Sequence, residues 1–346
     1  MQVGLTLDLR NAATRRRPWR EFWEDGLWLL AEAEALGFDS VLLQEHFFMD
    51  DGYAPSLPVF LALLAERTQR IRIGSYLYIL PLHHPAALAQ ETAVLDQWSG
   101  GRLEVTVGLG HRLAEYRAFG IDPATRASRM EEALQVLRLA WTQRPFDFQG
   151  EHFQLQGVEV RPEPLQVPHP PLWVGATTAP AARRAGRHGA FLAGASVDPS
   201  VYEDYREAWR ASGRAPSEAR ASSAFSLTTT REDPEAVWTR NRELYFERWD
   251  FYRRIRSELG DPSLAVGSQA DTAGAHPEAP SPEAYRENEI IGSPEEILEF
   301  LRPRVTELGL TDVVLNGPAS GIDWRGEGYE SVRCFAEEVL PALREL

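Results

Sequence analysis

The sequence predicts an α/β fold, a (β/α)8 TIM barrel with insertions. Short runs rich in aliphatic and β-branched residues alternate along the chain with amphipathic helical patterns, and eight such runs are each followed by a helical pattern. The length of 346 residues accommodates a barrel of about 250 residues plus additional segments. A doubly wound sheet produces the same alternation, so the pattern favours the barrel and leaves the open sheet as the alternative.

Each element is predicted from its own local pattern. The strands are short runs of high β propensity, at residues 2–9, 39–44, 71–79, 103–109, 172–176, 190–195, 222–230 and 312–316. The helices follow a period of 3.6 residues and include 19–37, 85–101, 126–141, 294–309 and about 329–346. Ser293 is a suitable N-cap for the helix at 294–309, and Pro303 within that helix is expected to bend or break it.

Two segments do not fit the alternation, and we predict that they are insertions in a single domain that spans residues 1–346. They lie at about 144–168 and 255–289. The first contains an alternating stretch, 146–160, which is typical of a β-hairpin. The second precedes the last strand, is rich in Gly, Ser, Ala and Pro, and is long for a loop in a compact domain. Such a segment is typical of a lid or of disorder.

The composition excludes several classes of protein. A net charge of −15 argues against nucleic acid as the main partner, because binding to phosphates needs a basic surface. The chain contains no lysine, which excludes a Schiff-base lysine and a P-loop lysine. The single cysteine, Cys334, excludes an internal disulfide. The sequence begins without a signal-peptide pattern and contains no apolar run of about 18 residues, so we predict a cytoplasmic protein without a membrane span.

The stretch 38-FDSVLLQEHFF-48 changes abruptly from apolar to polar where the second strand should end. Catalytic groups of a barrel lie at the carboxyl ends of its strands, which is where Glu45 and His46 are predicted to be. A histidine titrates near neutral pH, and the adjacent acid is expected to fix its orientation. A polar strand end that faces solvent explains the same pattern equally well.

Two later turns have the composition of ligand-binding loops. Gly108 and Gly110 follow the fourth strand and allow a ligand to approach the backbone, although Leu113 stands where a dinucleotide fingerprint needs its third glycine. Thr177 and Thr178 follow the next strand and precede a helix. A phosphate site and an ordinary N-cap both fit that position.

No metal site is predicted. His83 and His84 are adjacent, and adjacent side chains of an extended chain point in opposite directions, which makes them poor joint ligands. The histidines, acids and single cysteine show neither the H-E-x-x-H nor the C-x-x-C spacing. The motif 80-LPLHHP-85 is therefore interpreted as a structural loop before the third helix.

Taken in order, several stretches resemble the bacterial luciferase-like flavin-dependent monooxygenases, in particular those of the luciferase α-subunit type. The matching segments cover most of the chain: 37-GFDSVLLQEHF-47, 66-ERTQRIRIG-74, 80-LPLHHPAALAQETAVLDQWSGGRLEVTVGLG-110, 116-YRAFGID-122, 161-RPEPLQVPHPPLWVGATT-178 and 291-IGSPEEILEFL-301. The resemblance implies a barrel, commonly a homodimer, that binds reduced FMN delivered by a separate flavin reductase. Oxygen would add to the flavin to give a C4a-hydroperoxide, which oxidises a small organic substrate.

The resemblance also implies functional residues. His46 matches the active-site histidine of the family, with an acid/base or hydroperoxide-stabilising role. The implied cofactor contacts are Glu45, Tyr76, Leu77, Gly108, Leu109, Gly110, Arg126, Arg129, Gly175, Ala176, Thr177 and Thr178. Among these, Tyr76 and Leu77 match a backbone bulge that supports the flavin ring, and the two threonines match the phosphate site. Residues 255–289 match the lid.

The chain departs from the family at two positions. Phe47 stands where many members have a second histidine, and Leu109 stands where many carry an arginine that pairs with the flavin phosphate. Loss of a charge-assisted contact weakens anion binding by about 1.5–3 kcal/mol unless another group replaces it. The candidate replacements are all arginines: Arg126, Arg129, Arg112 and those at 15–17.

Two alternative functions stay open at this point. The first is an oxidoreductase that uses the deazaflavin F420 for hydride transfer, with which Leu109 and the Arg-only, Ala-rich composition are compatible. The second is a partner subunit without catalytic activity, against which the presence of His46 and of the lid segment argues. The sequence does not predict the organic substrate.

Overall fold

The computed structural model describes residues 1–54, 56–195, 197–257 and 281–346, and it confirms the predicted barrel. The strands in chain order are β1 Gln2–Thr6, β2 Ser40–Leu43, β3 Arg72–Ser75, β4 Tyr78–Ile79, β5 Leu103–Gly108, β6 Phe146–Gln149, β7 Gln154–Val158, β8 Leu172–Ala176, β9 Phe191–Gly194, β10 Ala221–Thr229, β11 Ile290–Gly292 and β12 Asp312–Asn316. Eight parallel strands form a ring in the order β1-β2-β3-β5-β8-β9-β10-β12, and β12 pairs with β1. The ring excludes an open doubly wound sheet.

Helices surround the ring. Their bounds are α1 Trp19–Ala35, α2 Leu57–Arg67, α3 Pro85–Trp98, α4 Leu113–Ala118, α5 Arg126–Thr142, α6 Ala179–His188, α7 Pro199–Ala211, α8 Pro234–Ser257, α9 Pro294–Leu308, α10 Glu327–Cys334 and α11 Leu340–Arg344. A single π-helical turn, Phe335–Val339, interrupts the predicted C-terminal helix between α10 and α11. None of the helices in the described part of the chain is long and apolar enough to cross a membrane.

Pro303 was expected to bend or break the helix α9, and the break is excluded because α9 continues through Pro303 to Leu308. Ser293 and Glu296 form a capping box at the start of α9, in which each side chain bonds to the backbone N–H of the other residue. Leu301 and Val305, on either side of Pro303, are buried in the barrel core. We attribute the continuity of α9 to this cap and to burial on both sides of the proline.

The two predicted insertions have different outcomes. The hairpin at 146–160 is confirmed, since β6 and β7 pair in antiparallel fashion. Most of the predicted lid at 255–289, namely residues 258–280, lies outside the described residues. Its C-terminal part forms a 3-10 helix at Pro282–Asn288 and then leads into β11, which pairs with β10.

The strand predicted at 71–79 is divided into β3 and β4, and the Tyr76–Leu77 peptide between them is cis. The side chain of Leu77 then lies against two glycines of neighbouring strands. A Cβ atom at Gly108 would be 2.6 Å from Leu77 Cδ2, and one at Gly175 would be 2.3 Å from it. A side chain at either position would therefore have to displace Leu77.

Ion pairs occupy the amino ends of the barrel strands. Arg72 Nε lies 2.5 Å from Glu104 Oε1, and Arg220 Nη2 lies 2.5 Å from Asp312 Oδ1. The guanidinium of Arg220 also stacks on the ring of Trp173, 4.7 Å from the ring centroid. This end of the barrel is filled by side chains that satisfy one another, whereas the opposite end contains open space.

Glu45, which follows β2, forms hydrogen bonds that hold β4 in position. Its Oε2 accepts hydrogen bonds from the backbone N–H of Ile79 (2.8 Å) and from Nε2 of His83 (2.9 Å). Burial acts to lower the pKa of His83, but the hydrogen bond and charge of Glu45, together with the charge of Glu91, outweigh it and raise that pKa. His83 is thus charged over a wider pH range than a free histidine.

This pair predicts a pH-dependent contribution to stability. Because the pKa of His83 is raised in the folded state, the contribution is complete below the unfolded value of about 6.5 and is lost as pH rises through the raised value. We expect His83→Gln to lower the free energy of unfolding by about 1 kcal/mol at pH 6 and by less at pH 9, measured by urea denaturation. His84→Gln, at the exposed neighbouring position, is the control. The prediction would be contradicted if the difference in free energy of unfolding between the wild type and His83→Gln did not change with pH.

Candidate active site

A cavity of about 900 Å³ opens at the carboxyl ends of the barrel strands. This volume is at the upper end of the range for small-molecule sites, about 300–1,000 Å³. Most of the residues predicted from the sequence line it: Glu45, His46, Tyr76, Leu77, Leu109, Gly110, Arg126, Gly175, Ala176, Thr177 and Thr178. The structure therefore brings together side chains from four consecutive strands of the ring and from the start of α5.

Two of the predicted cofactor contacts do not line the cavity. At Gly108, the space that a side chain would fill is taken by Leu77. Arg129 is turned away, because its Nε donates to the carbonyl of Pro81 (3.2 Å) and its guanidinium lies 4.9 Å from the ring centroid of Phe153. The carbonyl and the ring face give this cation partners outside the cavity.

His46 is 7% exposed and is held by a glutamate that we did not predict. Its Nδ1 lies 3.2 Å from Oε1 of Glu115, and the same oxygen accepts a hydrogen bond from the backbone N–H of Phe47 (2.8 Å). Glu115 is on α4 and is fully buried. The prediction that Glu45 orients His46 is wrong, because consecutive side chains of an extended segment point in opposite directions and Glu45 faces Ile79.

The surroundings of His46 determine which ring nitrogen is available. A carboxylate at Nδ1 favours the tautomer with the hydrogen on Nδ1, which leaves Nε2 as the nitrogen that can exchange a proton with a ligand. The imidazole stacks on Tyr53 at 4.8 Å and meets the edge of His111 at 5.5 Å. These rings hold its plane, so the group is positioned before any ligand enters.

The opposite wall of the cavity is suited to an anion. Thr178 is the N-cap residue of α6, with an extended backbone and no capping hydrogen bond from its side chain. Thr177 and Thr178 line the cavity at the first turn of α6, where the backbone N–H groups, which Pro180 lacks, have no acceptor within the helix. Helix N-termini of this kind bind phosphates.

Two arginines line the cavity at the same wall. Arg126 was predicted, whereas Arg184 on α6 was not. Arg184 Nε donates to Oε1 of Glu131 (2.7 Å), which orients the guanidinium. The hydrogen bond from His188 and the contacts of Arg184 outweigh burial and lower the pKa of Glu131 to about 2.

The other arginines considered as replacements at Leu109 are engaged elsewhere. Arg112 donates to the carbonyl of Phe47 at 3.2 Å. The three arginines at 15–17 pair with Glu247, Asp50 and Asp25, respectively. Arg126 and Arg184 are therefore the cations that line the cavity at the α6 wall in the described part of the chain.

One group of side chains outside the cavity has a spacing that could suit a metal ion. Ligand atoms of Glu132, Glu151 and His152 lie within 4.8 Å of one another. The carboxylate of Glu132, however, accepts hydrogen bonds from the backbone N–H groups of Glu151, His152 and Phe153. We interpret the group as a cap on the β6–β7 hairpin.

Comparison with known proteins agrees with this geometry. The sequence model of the luciferase-like monooxygenase family matches residues 1–312 of this chain. The FMNH(2)-dependent dimethylsulfone monooxygenase of Pseudomonas putida is 28% identical over 91% of this chain and 86% of its own length. The F420-dependent glucose-6-phosphate dehydrogenase of Amycolatopsis mediterranei is 27% identical over 91% of this chain and 92% of its own length.

Among solved structures, the monooxygenase RslO1 from Streptomyces bottropensis has a TM-score of 0.81 to this chain, at 25% identity. The match covers 99% of this chain and all of that one. The fold, the position of the cavity and the full-length sequence matches lead to the same assignment. The chain belongs to the luciferase-like monooxygenase family and is an oxidoreductase.

Proposed function

We propose that this protein is the oxygenase component of a flavin-dependent monooxygenase. It binds reduced FMN supplied by a separate reductase and uses O2 to oxidise a small organic substrate. The observation that carries the proposal is one continuous cavity with an anion-binding wall at one end and the buried His46–Glu115 pair at the other. The relative from Pseudomonas putida that is named as FMNH(2)-dependent supports the choice of cofactor.

The residues present fit FMN. Thr177, Thr178, Arg126 and Arg184 would hold its phosphate, and Leu77, Leu109 and Ala176 offer an apolar surface to its ring. Gln44 lines the cavity, and its buried amide oxygen has no hydrogen-bond partner among the described residues. A flavin ring carries N–H groups that would satisfy such an acceptor.

The chain supplies position and proton control. Reduced flavin, when bound, supplies the electrons and the reactive centre that activate O2. His46 holds or accepts a proton at Nε2, and Glu115 fixes its tautomer and orientation. The aromatic and aliphatic walls around His46 limit the access of water to the reacting atoms.

A second candidate is hydride transfer with F420. Two observations favour it: the relative named as F420-dependent matches almost the whole chain at nearly the same identity as the FMNH(2)-dependent one, and Leu109 removes the arginine that the FMN-binding pattern would place there. The wall formed by α6 and the two arginines suits the phosphate of either cofactor. A non-catalytic partner subunit is the third reading, and the complete His46–Glu115 pair argues against it.

The central prediction concerns the cofactor. In an anaerobic titration of the purified protein, we expect reduced FMN to bind at least 10-fold more tightly than reduced F420, and admission of O2 to the FMN complex to consume oxygen. A preference for F420 would instead support hydride transfer. If neither cofactor binds, the chain is a partner subunit.

Matched variants locate the phosphate. We expect Arg126→Leu and Arg184→Leu each to lower the affinity for reduced FMN by about 10- to 100-fold, since each removes a charge-assisted contact with the phosphate. Reduced riboflavin, which lacks the phosphate, should bind equally well to both variants and to the wild type. Arg129→Leu is the control, because that guanidinium faces Pro81. An equal loss for riboflavin would show that the arginines do not act on the phosphate.

A further prediction tests the role of Glu115. We expect Glu115→Gln and His46→Asn each to slow the O2-dependent reoxidation of bound reduced flavin by about 10- to 100-fold, and the double variant to be no slower than either single one. Stopped-flow absorbance across a range of pH provides the measurement. Glu66→Gln, at an exposed position on α2, is the control. Additive effects would mean that Glu115 does not act through His46.

We also propose that the protein is a homodimer through α2 and α3. Val59 and Leu63 on α2 and Val94 and Trp98 on α3 are apolar and between 40% and 65% exposed. In each pair the residues are four positions apart, so they form one stripe per helix, and the two helices pack against each other. An exposed apolar surface of this kind is typical of a subunit interface.

Sedimentation velocity tests this interface. We expect the wild type to sediment as a dimer and Val94→Asp combined with Trp98→Asp to give monomers, because like charges would be buried without partners. Val167→Asp is the control, since Val167 is 92% exposed and lies outside these helices. Dimers that persist in the double variant would place the interface elsewhere.

A further inference from the structure

The half of the cavity beside His46 is built from aromatic side chains. Its walls include Tyr53, His111, Trp249 and Tyr252, together with Asp8, which follows β1, and Arg248 of α8. In the ring, β1 lies four strands from β8 in either direction. This half is therefore across the barrel from the phosphate-binding wall and is free to hold a second molecule.

Four charged groups at this end neutralise one another. Arg10 binds both carboxylate oxygens of Asp8, with Nε 2.6 Å from Oδ1. Arg248 Nη1 lies 3.2 and 3.3 Å from the two oxygens of Glu289, and Arg248 Nε lies 3.6 Å from Asp8 Oδ2. All four side chains are at most 8% exposed. These two acids balance the two arginines, and the neighbouring acid Asp51 means that no positive charge is left in excess.

Each guanidinium also donates to a backbone carbonyl, although Arg248 Nε makes no hydrogen bond among the described residues. Arg10 Nη1 donates to the carbonyl of Glu247 at 3.3 Å, and Arg248 Nη2 donates to the carbonyl of Gly317 at 2.7 Å. Burial raises the pKa of Glu289, and the charge of Arg248 together with the hydrogen bonds from Trp249 and Arg248 offsets only part of that rise. A charged ligand would add an uncompensated ion to this buried, balanced set, which is unfavourable.

A pair of phenols provides the polar contact. The hydroxyls of Tyr53 and Tyr252 are 3.1 Å apart, and burial raises the pKa of both, so they are neutral at physiological pH. In such a pair one hydroxyl donates to the other, and the accepting hydroxyl keeps a hydrogen that can be donated to a ligand. Because the ring of Tyr53 stacks on His46 at 4.8 Å, a ligand bound there lies beside the imidazole.

We infer that this half of the cavity binds a neutral substrate of aromatic size that presents a carbonyl oxygen to the Tyr53–Tyr252 pair. The inference rests on the proposed function and adds the class of substrate to it. The aromatic walls select a planar, apolar body. The tyrosine pair selects the acceptor oxygen, and the balanced charges reject anions.

Binding of three probes of similar shape tests the inference: 2-acetylnaphthalene as the ketone, 2-ethylnaphthalene as the hydrocarbon and 2-naphthoate as the anion. Isothermal titration calorimetry measures each dissociation constant on the full chain, with and without saturating FMN. We expect the ketone to bind at least 10-fold more tightly than either of the others. Equal affinity of the ketone and the hydrocarbon, or tightest binding of the anion, would overturn the inference.

Variants test whether the preference for the ketone depends on the hydroxyls of Tyr53 and Tyr252. We expect Tyr252→Phe and Tyr53→Phe each to remove the 10-fold advantage of the ketone while the affinity for the hydrocarbon changes by less than about twofold, which also shows that the cavity is intact. Tyr329→Phe is the control, since that ring packs against Trp28 in another part of the fold. An advantage that survives in both variants would overturn the assignment.

The two proposals fail in different ways. If the protein selects the ketone but binds no FMN, the proposed cofactor is wrong and the inference about the neutral subsite stands. If FMN binds but the anion is preferred, the cofactor proposal stands and the neutral subsite is wrong.

Discussion

The site depends on closure of the barrel. β12 pairs with β1 from Gln2–Asp312 to Thr6–Asn316, and β9 pairs with β10, so the sheet has no free edge in the ring. In an open sheet of the same strands, the residues after β1 and β2 would be at one edge, far from the turn after β8. Closure places them around one opening, which is why Asp8, His46 and Thr178 line the same cavity.

Much of the fold, but only part of the site, was predictable from the sequence. The eight strands were predicted because each is a short run of β-favouring residues bounded by turns, and strand ends such as His46 and Thr177 follow directly from them. Glu115 and Arg184 were missed because they lie on helices, where the side that faces the cavity depends on how each helix packs. Glu115 lies in the polar segment after β5, and an acid close to the end of a barrel strand was the feature from which a role in the site could have been predicted.

The absence of lysine has a structural counterpart at the buried charges. Buried and half-buried arginines in the barrel make several contacts at once, as Arg10 does with Asp8 and Arg220 does with Asp312 and the ring of Trp173. A planar guanidinium can bond to both oxygens of a carboxylate and stack on a ring, which a lysine ammonium cannot. Replacement by lysine at these positions would leave carboxylates incompletely bonded in the interior.

The two ends of the cavity differ in charge balance, and this difference orients the ligands. At the α6 wall, Glu131 pairs with Arg184, whereas Arg126 donates to the carbonyl of Pro123 and has no carboxylate partner among the described residues. Positive potential therefore remains there for a phosphate. At the other wall, Asp8 and Glu289 balance both arginines. A charged cofactor therefore fits with its phosphate at the α6 wall and a neutral substrate beside His46. The opposite arrangement would bury the phosphate beside arginines that are already paired with carboxylates.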